Sequence, residues 1–189
     1  MKASSNSPAR PLRNVALVAL LAAAGCSASG ERIYNALYYS YTPSNFRSMA
    51  AAGAPLEIYG TPPGGATPEE VVAAIRMPGH LPQTAPKLAE VPGQGQRLVF
   101  AFGGAGAVDS SALCRGEVEG GALPDRLEVA GAYCRGDRML TQAQMTADRP
   151  LGPPDPDFTR AMRRLIETLG PRTDPNRDND RGERILIKN

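Results

Sequence analysis

The sequence predicts an α+β fold, an antiparallel sheet of about four strands with two or three helices packed mainly on one face. Three observations support this prediction. Residues 98–102 are apolar at every position, which is typical of a strand in the centre of a sheet. Residues 127–134 and 139–146 flank a short turn at 135–137 and predict a β-hairpin. Residues 155–170 have the pattern of an amphipathic helix that would dock on the sheet.

The helix over 155–170 has clear start and stop signals. Asp155 can cap its first turn, Pro156 fits the first helical position, and Gly170-Pro171 ends it. Its apolar residues recur at helical spacing and form one face: Phe158, Met162, Leu165, Ile166 and Leu169. We therefore expect this face to be buried.

The first half of the chain predicts two more helices and a strand. A short helix over 44–52 follows Thr42-Pro43 and ends at Gly53. Residues 56–60 predict a strand. Thr67 and Glu70 have the spacing of a capping box, which predicts a helix that ends before Pro78.

The hairpin and the turn before it lead to two further expectations. Apolar and other residues alternate over 127–134, which predicts a strand buried on one face only. The glycine-rich segment 103–109 follows a strand, as a phosphate-binding turn would, but Asp109 stands where the third glycine is needed and no helix clearly follows. We expect a plain loop there.

The chain divides into four parts in this interpretation. Residues 1–25 are a signal peptide, and residues 26–41 are an anchor and tether. Residues 42–170 are the globular domain. Residues 171–189 are a polar tail that we expect to be disordered.

The first 26 residues have the layout of an export signal. A basic stretch precedes an apolar run of about ten residues, too short for the roughly 20 that cross a bilayer. The run ends in Ala23-Ala24-Gly25-Cys26, with Ala23 where leucine is usual. This segment resembles the lipobox of bacterial lipoproteins, and the resemblance covers the signal only.

The resemblance implies lipidation (palmitate or a similar acyl group) of Cys26, which would attach the chain to the membrane of the cell envelope, facing the periplasm. Ser27 after the cysteine implies the outer rather than the inner membrane. The alternative is an ordinary signal cleaved near Ala24 or Ala28, which would release a free periplasmic protein.

Cys114 and Cys134 remain if Cys26 is acylated. An even pair in an oxidising compartment predicts a structural disulfide, with Cα atoms roughly 4.4–6.8 Å apart. The spacing does not fit a redox or zinc motif.

The charge balance argues against a nucleic-acid partner. Removal of Lys2, Arg10 and Arg13 with the signal leaves 18 basic residues against 19 acidic ones. Such a near-neutral domain lacks the field that attracts nucleic acid.

Catalytic, metal and cofactor motifs are not recognisable, so we predict no enzyme activity, metal or cofactor. His80 is the only histidine, and no nucleophile motif accompanies it. Asp174, Asn176, Asp178 and Asp180 alternate as in calcium loops. However, the required glycine and glutamate are replaced by Asn179 and Ile185.

Three functional hypotheses follow. The first is a lipid-anchored envelope protein with a non-catalytic interaction or assembly role. The second is an envelope hydrolase that uses paired carboxylates, with these candidates: Asp109, Glu117, Glu119 and Asp125. The third is a small-ligand-binding lipoprotein that uses the glycine-rich turn and a group of tyrosines: Tyr34, Tyr38, Tyr39 and Tyr41. The same tyrosines could instead pack at the edge of the domain.

Overall fold

The computed structural model describes residues 30–103, 110–118, 121 and 123–177. Within these residues the chain forms an α+β fold. Its strands are β1 (Arg32–Tyr38), β2 (Pro55–Gly60), β3 (Lys87–Leu88), β4 (Gln96–Phe102), β5 (Leu127–Arg135) and β6 (Arg138–Ala147). Its α-helices are α1 (Pro43–Ala51), α2 (Pro68–Ala74), α3 (Ser110–Arg115) and α4 (Pro156–Leu169), and a 3-10 turn spans Pro63–Gly65.

The six strands form one mixed sheet in the order β1-β6-β5-β4-β2-β3. β2 pairs in parallel with both β3 and β4, whereas the other pairs are antiparallel. The prediction of an antiparallel sheet of about four strands is therefore confirmed only in part, because the sheet has six strands and two of its five strand pairs are parallel. The segment between β2 and β4 contains α2 and is long enough to return the chain to the same end of the sheet, as a parallel pair requires.

β1 lies within the segment that we expected to be a tether, residues 26–41. Arg32 pairs with Thr146 of β6, and Tyr38 pairs with Thr141. A register shift between Tyr34 and Leu37, where Asn35 has a φ of 51°, makes a bulge in this edge strand. The folded part of the chain thus begins well before residue 42.

The larger core lies between one face of the sheet and the helices α1, α2 and α4. The apolar face of α4 is buried as predicted. The ring of Phe46 from α1 meets the ring of Tyr133 on β5 with centroids 4.9 Å apart. Gly131 leaves the space that Leu165 and Leu169 fill. Aromatic and aliphatic packing therefore holds three helices on this face.

Two helices, α2 and α4, begin at the N-terminal caps that the sequence predicts. The Thr67 hydroxyl accepts from the Glu70 amide, and the Glu70 carboxylate accepts from the Thr67 amide. Asp155 accepts from the Asp157 amide at the start of α4. Both N-terminal caps are confirmed.

A smaller core covers the other face of the sheet beneath α3. It contains Val99 and Ala101 of β4, Ala130 and Ala132 of β5, and the two cysteines with Leu113. β4 is a central strand, as expected. β5, which the alternating pattern predicted to be buried on one face only, is buried on both because α3 covers the second.

The first residues of the predicted tail also contact the domain. The Tyr41 hydroxyl donates to the carbonyl of Pro171, and the Asn176 side chain donates to the carbonyl of Tyr38. Pro171 and Asn176 thus contact the strand-helix junction after β1. Residues 178–189 lie outside the described part of the chain.

Candidate functional site

The structure brings Cys114 and Cys134 together between α3 and β5. Their Cα atoms are 5.7 Å apart and their Sγ atoms 1.98 Å apart, which is a disulfide bond. Both side chains are buried in the smaller core. The cross-link holds the six-residue α3 on the sheet, where its own length would not keep it helical. Cys26, the predicted lipidation site, lies outside the described residues.

The candidate carboxylates do not meet within the described residues. Asp109 and Glu119 lie outside them. The exposed Glu117 pairs with Arg115, Nη2 to Oε2 2.8 Å. Asp125 is exposed just before β5. The described part of the chain therefore offers no facing pair of these acids.

The His80 side chain contacts the end of α4. Its side chain is almost fully buried, its Nε2 lies 2.9 Å from the carbonyl oxygen of Gly170, and its Nδ1 lies 4.0 Å from a carboxylate oxygen of Glu167. These contacts join the proline-rich loop to the C-terminal end of α4. Among the described residues, no group of three or more metal-ligating side chains occurs.

The four tyrosines separate into two pairs. Tyr38 and Tyr41 pack toward α4, where their hydroxyls donate to the carbonyls of Thr168 and Pro171. Burial raises the pKa of both hydroxyls. Tyr34 and Tyr39 remain exposed. They do not converge on a pocket with the other two.

The glycine-rich turn is described only at its first residue. Gly103 has a φ of +76°, and a Cβ atom there would lie 1.6 Å from the carbonyl oxygen of Gly121. Glycine is thus required for a close backbone approach. Residues 104–109 are not described. α3 follows them, although the sequence predicted no helix.

Two sequence motifs remain, the Arg135-Gly136-Asp137 segment and the alternating polar residues that begin at Asp174. Gly136 has a φ of +55° and sits between the paired Arg135 and Arg138, so the Arg135-Gly136-Asp137 segment is the turn of the β5–β6 hairpin. Asp178 and Asp180 of the alternating acids lie outside the described residues.

The structure reveals a buried ion pair that the sequence did not predict. Arg97 of β4 is completely buried, and Glu57 of β2 has a side chain only 4% exposed. Arg97 Nε lies 2.5 Å from Glu57 Oε1. The two strands are parallel neighbours, with Glu57 paired to Val99, two residues beyond Arg97. The charges thus lie on the same face of the sheet, next to the smaller core.

Polar neighbours complete this buried cluster. Arg97 donates through Nη1 to the carbonyl of Gly136 at 3.0 Å and through Nη2 to that of Cys114 at 2.6 Å. Glu57 accepts from the Gly93 amide at 2.6 Å and from the Tyr59 hydroxyl at 3.1 Å. We call Glu57, Tyr59 and Arg97 the buried polar cluster. It connects β2 and β4 to the hairpin turn and to the disulfide-bonded helix.

Tyr59 is the titratable hydroxyl of the cluster. Burial raises its pKa, and the charge of Glu57 and the hydrogen bond to it raise it further. The protonated Tyr59 hydroxyl donates to Glu57. Arg97 Nε faces Glu57 Oε1 as an ion pair but makes no hydrogen bond with a described residue.

Two grooves on the surface meet at Arg76. One, of about 430 Å³, lies between α2 and the loop before α4 and is lined by these residues: Glu70, Ala73, Ala74, Arg76, Pro153, Pro154 and Thr159. The second, of about 350 Å³, runs from Arg76 to the proline-rich loop. Both volumes fall within the roughly 300–1,000 Å³ of small-molecule pockets.

Arg76 is the charged group shared by the grooves. Its Nη1 donates to the carbonyls of Ala73 and Ile75 at the end of α2, at 2.6 and 2.8 Å. It forms no ion pair with another described residue. The exposed guanidinium therefore has donors left for an anionic group.

Sequence reasoning missed the buried polar cluster and the grooves for different reasons. The sequence did contain a signal for the cluster. Arg97 is a charged residue at the second position of a buried strand, and Glu57 is a charged residue between apolar neighbours. The grooves depend on how α2 meets the loop before α4, and no local pattern encodes this.

Within the described residues, no helix has the length and apolar character to span a membrane. Comparisons of the whole chain with protein-family models, with curated proteins and with solved structures find no match.

Proposed function

We propose that the chain is a lipid-anchored envelope protein with a non-catalytic interaction or assembly role. Cys26 would carry the lipid, and the domain would face the periplasm, with the outer membrane as its site. The proposed localisation rests on the signal segment.

A non-catalytic role is supported by the contacts of the buried ionisable groups, which are made with other parts of the fold. Glu57 and Arg97 hold each other and three backbone groups, and His80 binds the end of α4. Catalysis requires such groups to face a substrate with suitable pKa values. Here they hold structural elements together instead.

The bond between Cys114 and Cys134 supports export. Structural disulfides persist in oxidising compartments and are rare in the cytosol. A buried disulfide in the smaller core fits a domain that folds after crossing the inner membrane.

Metabolic labelling with a fatty acid tests the anchor. The wild type should carry the label and fractionate with membranes, whereas Cys26→Ala should lose the label and become soluble. Equal labelling of both would contradict the proposal. Affinity capture of the lipidated protein from crosslinked cells then tests the interaction role, with Cys26→Ala as the control for anchoring.

The hydrolase hypothesis has a direct test of its own. Cleavage of peptidoglycan or of a chromogenic glycoside by the purified protein, lost when Asp109 or Glu119 is replaced, would show that the non-catalytic proposal is wrong. We expect no turnover in the wild type.

The grooves at Arg76 favour ligand binding as a second candidate function. A small carboxylate could pair with the guanidinium while its apolar part lies against Pro153 and Pro154. Citrate serves as a probe: it should raise the melting temperature of the wild type but not of Arg76→Ala. Arg163→Ala, which removes an exposed arginine of α4, is the matched control. Equal shifts in all three proteins would exclude a site at Arg76.

A further inference from the structure

The exposed apolar side chains of the described residues are concentrated at one edge of the sheet. Four large apolar side chains are exposed: Tyr34 at 38%, Leu37 at 41%, Tyr39 at 59% and Val91 at 51%. The first three lie in β1 or directly after it. Val91 lies beyond β3, at the opposite edge.

Two of these side chains share a face. Tyr34 pairs with Gln144 of β6, and Leu37 pairs with Gln142. Gln144 in turn pairs with Ala130, which belongs to the smaller core. Tyr34 and Leu37 therefore extend that face of the sheet outward to its free edge. The neighbouring Tyr38 points to the other face, where it binds α4.

The edge is close to the proposed lipid in the chain. Cys26 is only six residues before Arg32, the first residue of β1. A fully extended chain of that length spans about 20 Å. The start of β1 would therefore lie within about this distance of the bilayer surface, and β1 is the described element nearest to Cys26 in the chain.

The chemistry of the edge suits a bilayer surface. Tyrosine has an apolar ring and a polar hydroxyl, and it is enriched at the level of lipid headgroups. One acid, Glu128, lies near Tyr34 and is paired with Arg126. Cations lie at both ends of the stretch. Arg32 is exposed and has no ion-pair partner among the described residues, and Arg138 donates to the Ser40 hydroxyl at 2.8 Å. Both cations can interact with anionic headgroups.

The same edge is poorly built to receive another strand. The bulge at Asn35 interrupts the backbone ladder, and the Asn35 side chain is held by Gln144 at 2.8 Å. Bulges of this kind protect edge strands from pairing with a second chain. A second copy of the protein is thus a weaker fit than lipid.

We propose that the edge formed by Tyr34, Leu37 and Tyr39 rests on the headgroup layer of the membrane to which Cys26 is anchored. The inference rests on the proposed lipidation of Cys26. It fixes the orientation of the domain: β1 faces the lipid, while the β3 edge, with α2 and the grooves at Arg76, faces away and stays accessible to partners.

Single tryptophans can test this orientation because the chain contains none. We suggest Tyr39→Trp and Tyr34→Trp as reporters at the β1 edge and Val91→Trp as the control. At about 4.8 Å per strand, the sheet separates the two edges by roughly 24 Å. Each variant is purified with its lipid and reconstituted into phosphatidylethanolamine and phosphatidylglycerol vesicles whose acyl chains are brominated.

Flotation with the vesicles reports the anchor, and tryptophan quenching reports the orientation. We expect all variants to float. We also expect bromine to quench the tryptophans at positions 34 and 39 at least several-fold more than the tryptophan at position 91. Failure to float would contradict the lipid anchor itself.

Floating protein whose three tryptophans are quenched equally would overturn the proposed orientation and leave the anchor intact. A blue-shifted but unquenched tryptophan at position 34 would identify a second copy of the chain as the occupant and would likewise overturn it.

Discussion

Replacement of Arg97 by methionine tests how much the buried polar cluster holds the sheet together. The change removes a fully buried guanidinium and leaves the carboxylate of Glu57 without its counter-charge in a site that water barely reaches. It also removes the donors to the carbonyls of Gly136 and Cys114. Methionine keeps much of the apolar volume of the side chain, so cavity formation is a small part of the effect.

The expected loss is large on the scale of domain stability. Removal of one partner from a buried pair costs about 3–5 kcal/mol, against a total of roughly 5–15 kcal/mol for a domain. At about 2–4 °C per kcal/mol for a domain near this size, the melting temperature should fall by roughly 6–20 °C.

Urea unfolding followed by circular dichroism measures the loss of stability, with every variant made in the Cys26→Ala background, which removes the proposed site of lipidation. Arg160→Met is the control because it breaks a half-exposed pair with Asp157, where less than about 1 kcal/mol is expected. The double variant Arg97→Met with Glu57→Leu should recover part of the loss, because no buried charge then remains.

An Arg97→Met protein as stable as Arg160→Met would show that the buried polar cluster does not stabilise the sheet. So would a double variant whose loss equals the sum of the two single losses, because Glu57 and Arg97 would then act independently.

Three further predictions concern the two cores. Cys114→Ser should lower the free energy of unfolding by about 3 kcal/mol, as the chain-entropy model gives for a separation of 20 residues. Dithiothreitol should lower the urea midpoint of the wild type but not that of Cys114→Ser. Leu165→Ala should lower the free energy of unfolding by about 2–5 kcal/mol because the side chain is fully buried in the larger core. A urea midpoint unchanged from the wild type would contradict the packing of α4. Burial raises the pKa of Tyr133 to about 12 from its ordinary 10. Since the folded state keeps the proton longer, the contribution of Tyr133 to stability is present below pH 10 and is lost as the pH rises toward 12. Burial also raises the pKa of Tyr38 and Tyr41, so Tyr133→Phe should reduce the alkaline loss of stability in urea titrations without abolishing it. An identical loss in both proteins would argue against the assignment.

The elements that follow from local sequence are those with strong periodicity and caps. α4 was predicted because its apolar residues, such as Leu165 and Ile166, repeat at helical spacing between a cap and a glycine. α2 was predicted from Thr67 and Glu70. In these helices local signals and tertiary packing agree.

The elements that were missed depend on contacts distant in the chain. β1 does not alternate regularly because of the bulge at Asn35, and only pairing with β6 makes it a strand. α3 has six residues, and the bond from Cys114 to Cys134 holds it on the sheet. The parallel pairs of β2 could not be derived because the two residues of β3 give no pattern.

The buried polar cluster was missed for a related reason. Glu57 and Arg97 are 40 residues apart and meet only because β2 and β4 are parallel neighbours. An antiparallel sheet of four strands, as predicted, gave no reason to pair them. The register of the sheet thus decides which charges meet, and this register could not be predicted from local sequence patterns.

Mass spectrometry of the N-terminal peptide of the mature protein, isolated from the membrane fraction, tests the proposed lipidation of Cys26. We expect a peptide that begins at Cys26 and carries the mass of a diacylglyceryl group and an amide-linked acyl chain. An unmodified peptide that begins after Ala24 or Ala28, recovered from the soluble periplasmic fraction, would contradict it.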